Sequence, residues 1–123
     1  MNKLKIALFV SVAACTAIFF ASCKKKGSAH KVVFKAEASS GGSVDVAVYG
    51  YDANTTTASS LTGTTWSSPE LNVPAGTVNA NVVVNGQGNS TSTLKVQIYV
   101  DGVLKKEGTS SGQVLSASAN YQF

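Results

Sequence analysis

The sequence predicts an all-β fold in which two antiparallel sheets pack as a sandwich of about seven short strands. From residue 31 onward, apolar and polar residues alternate one by one through several runs, which is the period of a strand with one buried face. Turn-forming residues separate most of these runs, and no span keeps the period of an amphipathic helix. A sheet with one apolar face must cover it, so we expect two sheets packed face to face.

The first two runs are expected to pair as a hairpin. Residues 31–38 place four apolar side chains on one face, and residues 39–42 (Ser-Ser-Gly-Gly) follow as a turn. The next run places three valines on its inner face: Val44, Val46 and Val48. Tyr49 and Tyr51 lie on the opposite face of that run and are therefore predicted to be exposed to solvent.

The middle of the domain is less regular. Residues 52–65 are polar, contain six threonines and are expected to hold at most one short edge strand. Trp66 and Leu71 are the expected core anchors of this region. Pro69 and Pro74 exclude a central strand at their own positions, because proline cannot donate a hydrogen bond to a neighbouring strand.

Regular alternation returns in three later runs: residues 78–84, 94–100 and 115–123. Asp101-Gly102 directly follows the second run and predicts a hairpin with residues 103–107, because both central positions of such a turn need positive φ. Tyr99 alternates with apolar neighbours and is predicted to be exposed. Phe123 is predicted to pack in the core.

A leader sequence precedes the domain. Residues 1–5 carry two lysines, residues 6–20 are apolar apart from one serine and one threonine, and two small residues follow. This is the layout of a secretory signal peptide. The apolar run is shorter than the roughly 18–20 residues that a membrane-spanning helix needs, so residues 1–22 are predicted to be cleaved.

Residues 20–23 (Phe-Ala-Ser-Cys) resemble the lipobox of bacterial lipoproteins, in a form common in Bacteroidota. The resemblance implies that Cys23 is lipidated, carries palmitate and becomes the first residue of the mature protein. Residues 23–30 would then be a basic tether at the cell envelope, with the outer membrane as the expected location and the domain either periplasmic or surface-facing. Residues 12–15 (Val-Ala-Ala-Cys) fit the strict pattern better, but cleavage there leaves an apolar run of six residues, below the usual 7–15.

The composition and the scarcity of reactive groups exclude several classes of protein. Without residues 1–22 the chain has 101 residues, eight lysines, no arginine and a net charge near +2, so no nucleic-acid partner is expected. Both cysteines lie within the first 23 residues, and His30, the single histidine, cannot supply a zinc site alone. The acidic residues are dispersed and no G-x-S-x-G motif occurs. We therefore expect a protein that is not an enzyme and needs no cofactor or metal.

Several segments resemble the soluble domain of MmpS-type proteins: residues 44–50, the stretch from Trp66, residues 74–76, and above all residues 94–102 (Leu-Lys-Val-Gln-Ile-Tyr-Val-Asp-Gly). Members of that family are small membrane-anchored sandwiches, immunoglobulin-like in outline, and act in mycobacteria as accessories to MmpL lipid and siderophore exporters. The resemblance implies an immunoglobulin-like sandwich over residues 31–123 and a place beside a transport complex. This chain departs from the family in its anchor, which is a lipobox instead of an N-terminal transmembrane helix.

Three tyrosines form the predicted partner-binding surface: Tyr49, Tyr51 and Tyr99. An exposed tyrosine can anchor a protein partner or stack on a sugar, although it can also merely shield a neighbouring strand. The expected function is that of a membrane-anchored, non-enzymatic lipoprotein that binds or braces an envelope protein, such as part of a transport complex. A module that binds glycan or lipid at the envelope is the alternative.

Overall fold

The computed structural model describes residues 29–123, so the predicted signal peptide and Cys23 lie outside the described residues. Residues 29–123 form nine strands and no helix. The strands are β1 (His30–Ala38), β2 (Ser43–Tyr51), β3 (Asn54–Ala58), β4 (Thr65–Ser67), β5 (Leu71–Val73), β6 (Asn79–Gln87), β7 (Thr93–Val100), β8 (Val103–Ser111) and β9 (Val114–Gln122). β1 begins at His30, one residue before the start of the domain that the sequence predicts.

The nine strands form two antiparallel sheets, which confirms the predicted β-sandwich. In the first sheet, β4 and β5 share one edge of β1, and β7 and β8 follow on its other side. The second sheet has the order β3-β2-β6-β9. The chain passes between the sheets at several connections, such as β1 to β2 and β6 to β7. The expected hairpin of the first two runs is therefore wrong, because β1 pairs with β4, β5 and β7, whereas β2 pairs with β3 and β6.

The core lies between the inner faces of the two sheets and is aliphatic apart from a few aromatic rings. Its largest fully buried side chains on the first sheet are Val32, Phe34, Val73, Leu94, Val96 and Ile98, and those on the second are Val44, Val82, Val84 and Leu115. These positions repeat every second residue, which is why the alternation in the sequence located most of the core correctly.

A β-bulge in β2 reverses part of the predicted pattern. The pairing of β2 with β6 shifts between Val44 and Val46, so Asp45 is an extra residue on one side of the ladder. Beyond the bulge, Ala47 and Tyr49 are buried in the core, whereas Val46 is only half-buried. The predictions that Val46 and Val48 face the core and that Tyr49 faces solvent are therefore wrong, because one inserted residue moves every later side chain to the other face.

The two sheets come into backbone contact where β8 passes β9. A Cβ atom added to Gly108 in β8 would collide with the backbone carbonyl oxygen of Ser118 in β9. Glycine is thus the residue that permits this close approach.

We expect Gly108→Ala to lower the free energy of unfolding by about 1–3 kcal/mol, the usual cost of forcing extra atoms into a packed site. Urea unfolding of the mature protein, followed by circular dichroism, measures this loss. Thr109→Ala is the matched control, because Thr109 is the exposed neighbour on the same strand. Equal stability of the two variants would show that the two strands can separate at no cost.

Candidate functional site

The outer faces of the two sheets differ sharply in charge. The outer face of the first sheet carries lysine and glutamate side chains from three strands: Lys31, Lys35 and Glu37 of β1, Lys95 of β7 and Glu107 of β8. The strands of the second sheet contain one charged residue, Asp45, whose Oδ1 accepts a hydrogen bond of 3.1 Å from the Ser43 hydroxyl. The second sheet therefore presents an almost uncharged surface.

Tyr99 lies on the charged face towards the end of β7, half-buried between β1 and β8. The Lys35 Nζ is 4.8 Å from the centroid of its ring, a cation–π geometry. The Tyr99 hydroxyl donates to Gln97 Oε1 at 3.4 Å, and Gln97 Nε2 donates to Glu107 Oε2 at 3.0 Å. These contacts join side chains of three strands into one polar row, which we call the Tyr99 surface.

A shallow cavity of about 310 Å³ adjoins Tyr99. Its lining combines an aromatic ring, an apolar floor and both signs of charge: Lys31, Val33, Lys35, Glu70, Tyr99 and Gly102. Lys31 Nζ and Glu70 Oε1 are 3.7 Å apart at its rim. A neighbouring cavity of about 340 Å³ shares Lys35 and is lined by Trp66 and Gln97. The two cavities make the charged face uneven, so that side chains of a partner could enter them.

The three predicted tyrosines do not share one surface. Tyr49 is 6% exposed and lies between Phe34 and Trp66, with ring centroids 5.6 and 5.2 Å away. It is a core residue, so its assignment to a partner-binding surface is corrected here. Trp66 packs against the core beside it, as predicted. Tyr51 is half-buried on β2 and packs against the core from the second sheet, so the prediction that it is exposed beside Tyr99 is also wrong. Tyr99 is the tyrosine of the charged face.

The sequence did not predict a polar cluster where the chain joins the domain. His30 Nδ1 lies 2.7 Å from Asp101 Oδ2, and the backbone N–H of Lys31 donates to Asp101 Oδ1 at 2.9 Å. The His30 ring stacks on Phe123 with centroids 5.1 Å apart, and Tyr121 meets Phe123 edge-on at 5.2 Å. His30 is therefore a residue of β1 and not of a free tether, and Phe123 is 39% exposed instead of packing in the core as predicted.

The hydrogen bond with His30, followed by the one from the Lys31 backbone, holds the pKa of the Asp101 carboxyl below its ordinary value of 3.8. A depressed pKa means that the ionised carboxylate stabilises the folded state. This contribution is present above the ordinary pKa and is lost as the pH falls below 3.8 towards the lowered pKa of the folded protein.

We therefore expect Asp101→Asn to be less stable than the parent protein near pH 6, and the difference in stability to shrink as the pH falls below 3.8. Asparagine tolerates the positive φ of 51° at this position, so the turn itself is kept. Urea midpoints measured across this pH range provide the test. Asp52→Asn is the comparison, since Asp52 is also a turn residue with positive φ and has no contact with His30. If the difference in urea midpoint between Asp101→Asn and the parent protein stayed constant with pH, the lowered pKa of Asp101 would be wrong.

Within residues 29–123, no three side chains of His, Cys, Asp or Glu come together in a geometry that could hold a metal ion. The same part of the chain contains no helix that is long and apolar enough to cross a membrane. No protein-family model matches this sequence, and a search of curated proteins found no matching relative.

Proposed function

We propose that this chain is a lipid-anchored protein of the bacterial envelope, attached through Cys23, whose sandwich binds a protein partner through the Tyr99 surface and performs no chemistry of its own. The anchor is supported by the sequence alone, in which residues 6–20 are apolar and residues 20–23 resemble a lipobox. The single observation that supports the binding role is the half-buried Tyr99, covered by Lys35 and set in a charged face. Tyrosine with an apolar ring and a polar tip is typical of interface anchors.

A protein fits this surface better than a small molecule does. The adjoining cavity of about 310 Å³ is at the lower limit of ligand pockets, which usually measure roughly 300–1,000 Å³. The polar row extends across β1, β7 and β8, and a specific protein interface needs about 800 Å² on each side. Positively and negatively charged side chains along the row would favour a partner with a complementary arrangement of charges. The likeness to MmpS-type domains suggests that such a partner belongs to a transport complex.

One observation favours a glycan as the second candidate ligand. On the almost uncharged second sheet, Asn120 Nδ2 donates to Asn81 Oδ1 at 3.2 Å, and Asn81 Nδ2 donates to Asn79 Oδ1 at 3.4 Å. Neutral amides in a row can exchange hydrogen bonds with sugar hydroxyls without desolvating a charge. Binding of the purified protein to a polysaccharide array, lost in Asn81→Ala, would support this candidate over the first.

Site-specific crosslinking in living cells tests the primary proposal. A photoreactive amino acid replaces Tyr99. In the matched control it replaces Val83, which is 39% exposed on the outer face of the second sheet. We expect a discrete crosslinked product at position 99 and little at position 83. The proposal fails if position 99 gives no product or if position 83 gives the same one.

A further inference from the structure

Exposed apolar side chains are concentrated at one end of the sandwich. Six large hydrophobic residues are exposed within residues 29–123, and four of them belong to this end: Val78 (61%), Val103 (55%), Leu104 (43%) and Phe123 (39%). It is the end at which the chain enters β1 at His30 and at which β7 turns into β8. We call it the tether end.

Contacts link the apolar residues of the two sheets through the polar pair of His30 and Asp101. The backbone N–H of Phe123 donates to the carbonyl oxygen of Val78 at 3.0 Å. The Phe123 ring stacks on His30, and His30 in turn contacts Asp101, two residues before Val103. The patch therefore crosses from the second sheet to the first along the C-terminus and the start of β1.

The opposite end of the sandwich has a different composition. Its connections, residues 39–42, 59–64, 88–92 and 112–113, consist of small and polar residues apart from the half-buried Leu61. Val114 is the exposed large hydrophobic residue beside them. The apolar patch is thus a property of the tether end and not of the loops in general.

The charges at the tether end suit an anionic surface. Three carboxylates lie at or beside this end, and each has a partner in the protein. Asp101 is engaged by His30 and the Lys31 N–H, and Asp52 by the N–H groups of Val78 and Asn79. Glu70 Oε1 lies 3.7 Å from Lys31 Nζ. Lys105 lies close enough to Asp101 to help lower the pKa of its carboxyl. Three further lysines, residues 24–26, precede the domain. Basic residues beside an anionic membrane are attracted to its surface.

The length of the preceding chain brings this end close to any lipid on Cys23. Seven residue steps separate Cys23 from His30, which at full extension span about 25 Å. We propose that the tether end docks on the membrane surface, with Val78, Val103 and Phe123 at the level of the anionic lipid headgroups and the basic side chains beside the phosphates. This inference rests on the proposed function, because it requires the anchor at Cys23.

In the docked orientation the two ends of the sandwich lie at different distances from the bilayer, and this difference can be measured. Strands of nine residues are about 30 Å long, so the loop at residues 88–92 would stand well away from the bilayer while Val78 touches it. An apolar face bound at a membrane interface enters about 5–10 Å into the headgroup region.

Fluorescence quenching in proteoliposomes tests this orientation. The mature lipidated protein carries one introduced cysteine, Val78→Cys or, as the matched control, Ser90→Cys, each labelled with a small fluorophore. The vesicles contain anionic lipid and a lipid with a nitroxide headgroup. We expect quenching at position 78 to be at least about threefold greater than at position 90, given the depth of interfacial faces and the strand length. Val103→Cys, labelled in the same way, should behave like position 78.

Flotation of the same vesicles separates the two ways in which the test can fail. If the protein carries no acyl chain and does not float with the vesicles, the anchor is wrong and both proposals are overturned. If it floats but positions 78 and 90 are quenched equally or not at all, the anchor stands and the docking inference is overturned. Circular dichroism of each labelled protein confirms that the sandwich is folded.

Discussion

Tyr49→Ala is expected to lower the free energy of unfolding by about 3–5 kcal/mol, the usual cost of deleting a large aromatic ring from a core. The ring is 6% exposed and links Phe34 of the first sheet to Trp66, so its removal opens a cavity where the two sheets meet. A domain of this size is stable by only about 5–10 kcal/mol. Urea unfolding and circular dichroism should therefore show a largely destabilised protein.

Tyr99→Ala is the matched control, because it removes the same side chain from the outer face of the sandwich. Tyr99 is half-buried and rests on strands that keep their own core, so we expect a loss of about 1 kcal/mol. Tyr49→Phe keeps the ring and should also lose no more than about 1 kcal/mol. If Tyr49→Ala and Tyr99→Ala were equally stable, the burial of Tyr49 and the bulge that causes it would both be wrong.

Cys23→Ser is expected to abolish the uptake of labelled palmitate and to release the protein from the membrane fraction. Serine has no thiol to receive the lipid. Two or more acyl chains, at about 0.8 kcal/mol for each buried methylene, hold a protein far more firmly than three lysines at about 1 kcal/mol each. Metabolic labelling and membrane fractionation of the variant measure both effects.

Cys15→Ser distinguishes the two possible lipid sites. With lipid on Cys23, the Cys15→Ser protein is labelled and membrane-bound like the parent, because Cys15 is discarded with the leader. If instead Cys15→Ser loses the label and Cys23→Ser keeps it, the alternative at residues 12–15 is correct. Full membrane retention of an unlabelled Cys23→Ser protein would contradict lipid anchoring at this residue.

The alternation of apolar and polar residues along the sequence predicted the long strands, because each of these strands buries one face and exposes the other to water. The Asp101-Gly102 turn was predicted for a physical reason that the structure confirms, since the φ angles of the two residues are 51° and 80°. The short strands β3, β4 and β5 could not be located in the same way. They lack a clear alternation of their own and extend along the edges of β2 and β1 through backbone hydrogen bonds.

The bulge in β2 shows where the pattern fails. Both faces of β2 carry apolar residues in the sequence pattern: Val44, Val46 and Val48 on one face, and Ala47 and Tyr49 on the other. The sequence therefore did not fix which face is buried, and the register is set by pairing with β6. In β7 the alternation is unambiguous, and the predicted outward position of Tyr99 is correct.

The pair of His30 and Asp101 could not be predicted from local signals. The two residues are 71 positions apart, and their contact arises only because β1 and β7 are neighbours in the first sheet. The stacking of His30 on Phe123 likewise depends on the C-terminus returning to the start of β1.

The position of β1 inside the first sheet also governs the order in which the domain can be completed. A ribosome makes the chain from its N-terminus, so β1 is synthesised before any of its partners. Those partners are β4, β5 and β7, and the last of them ends at Val100. Until then β1 lacks its longest partner, β7, and the first sheet that carries Val32 and Phe34 is incomplete. The growing chain thus passes through a stage that is open to aggregation or to chaperone capture, and it leaves that stage only when about four fifths of its length has been made.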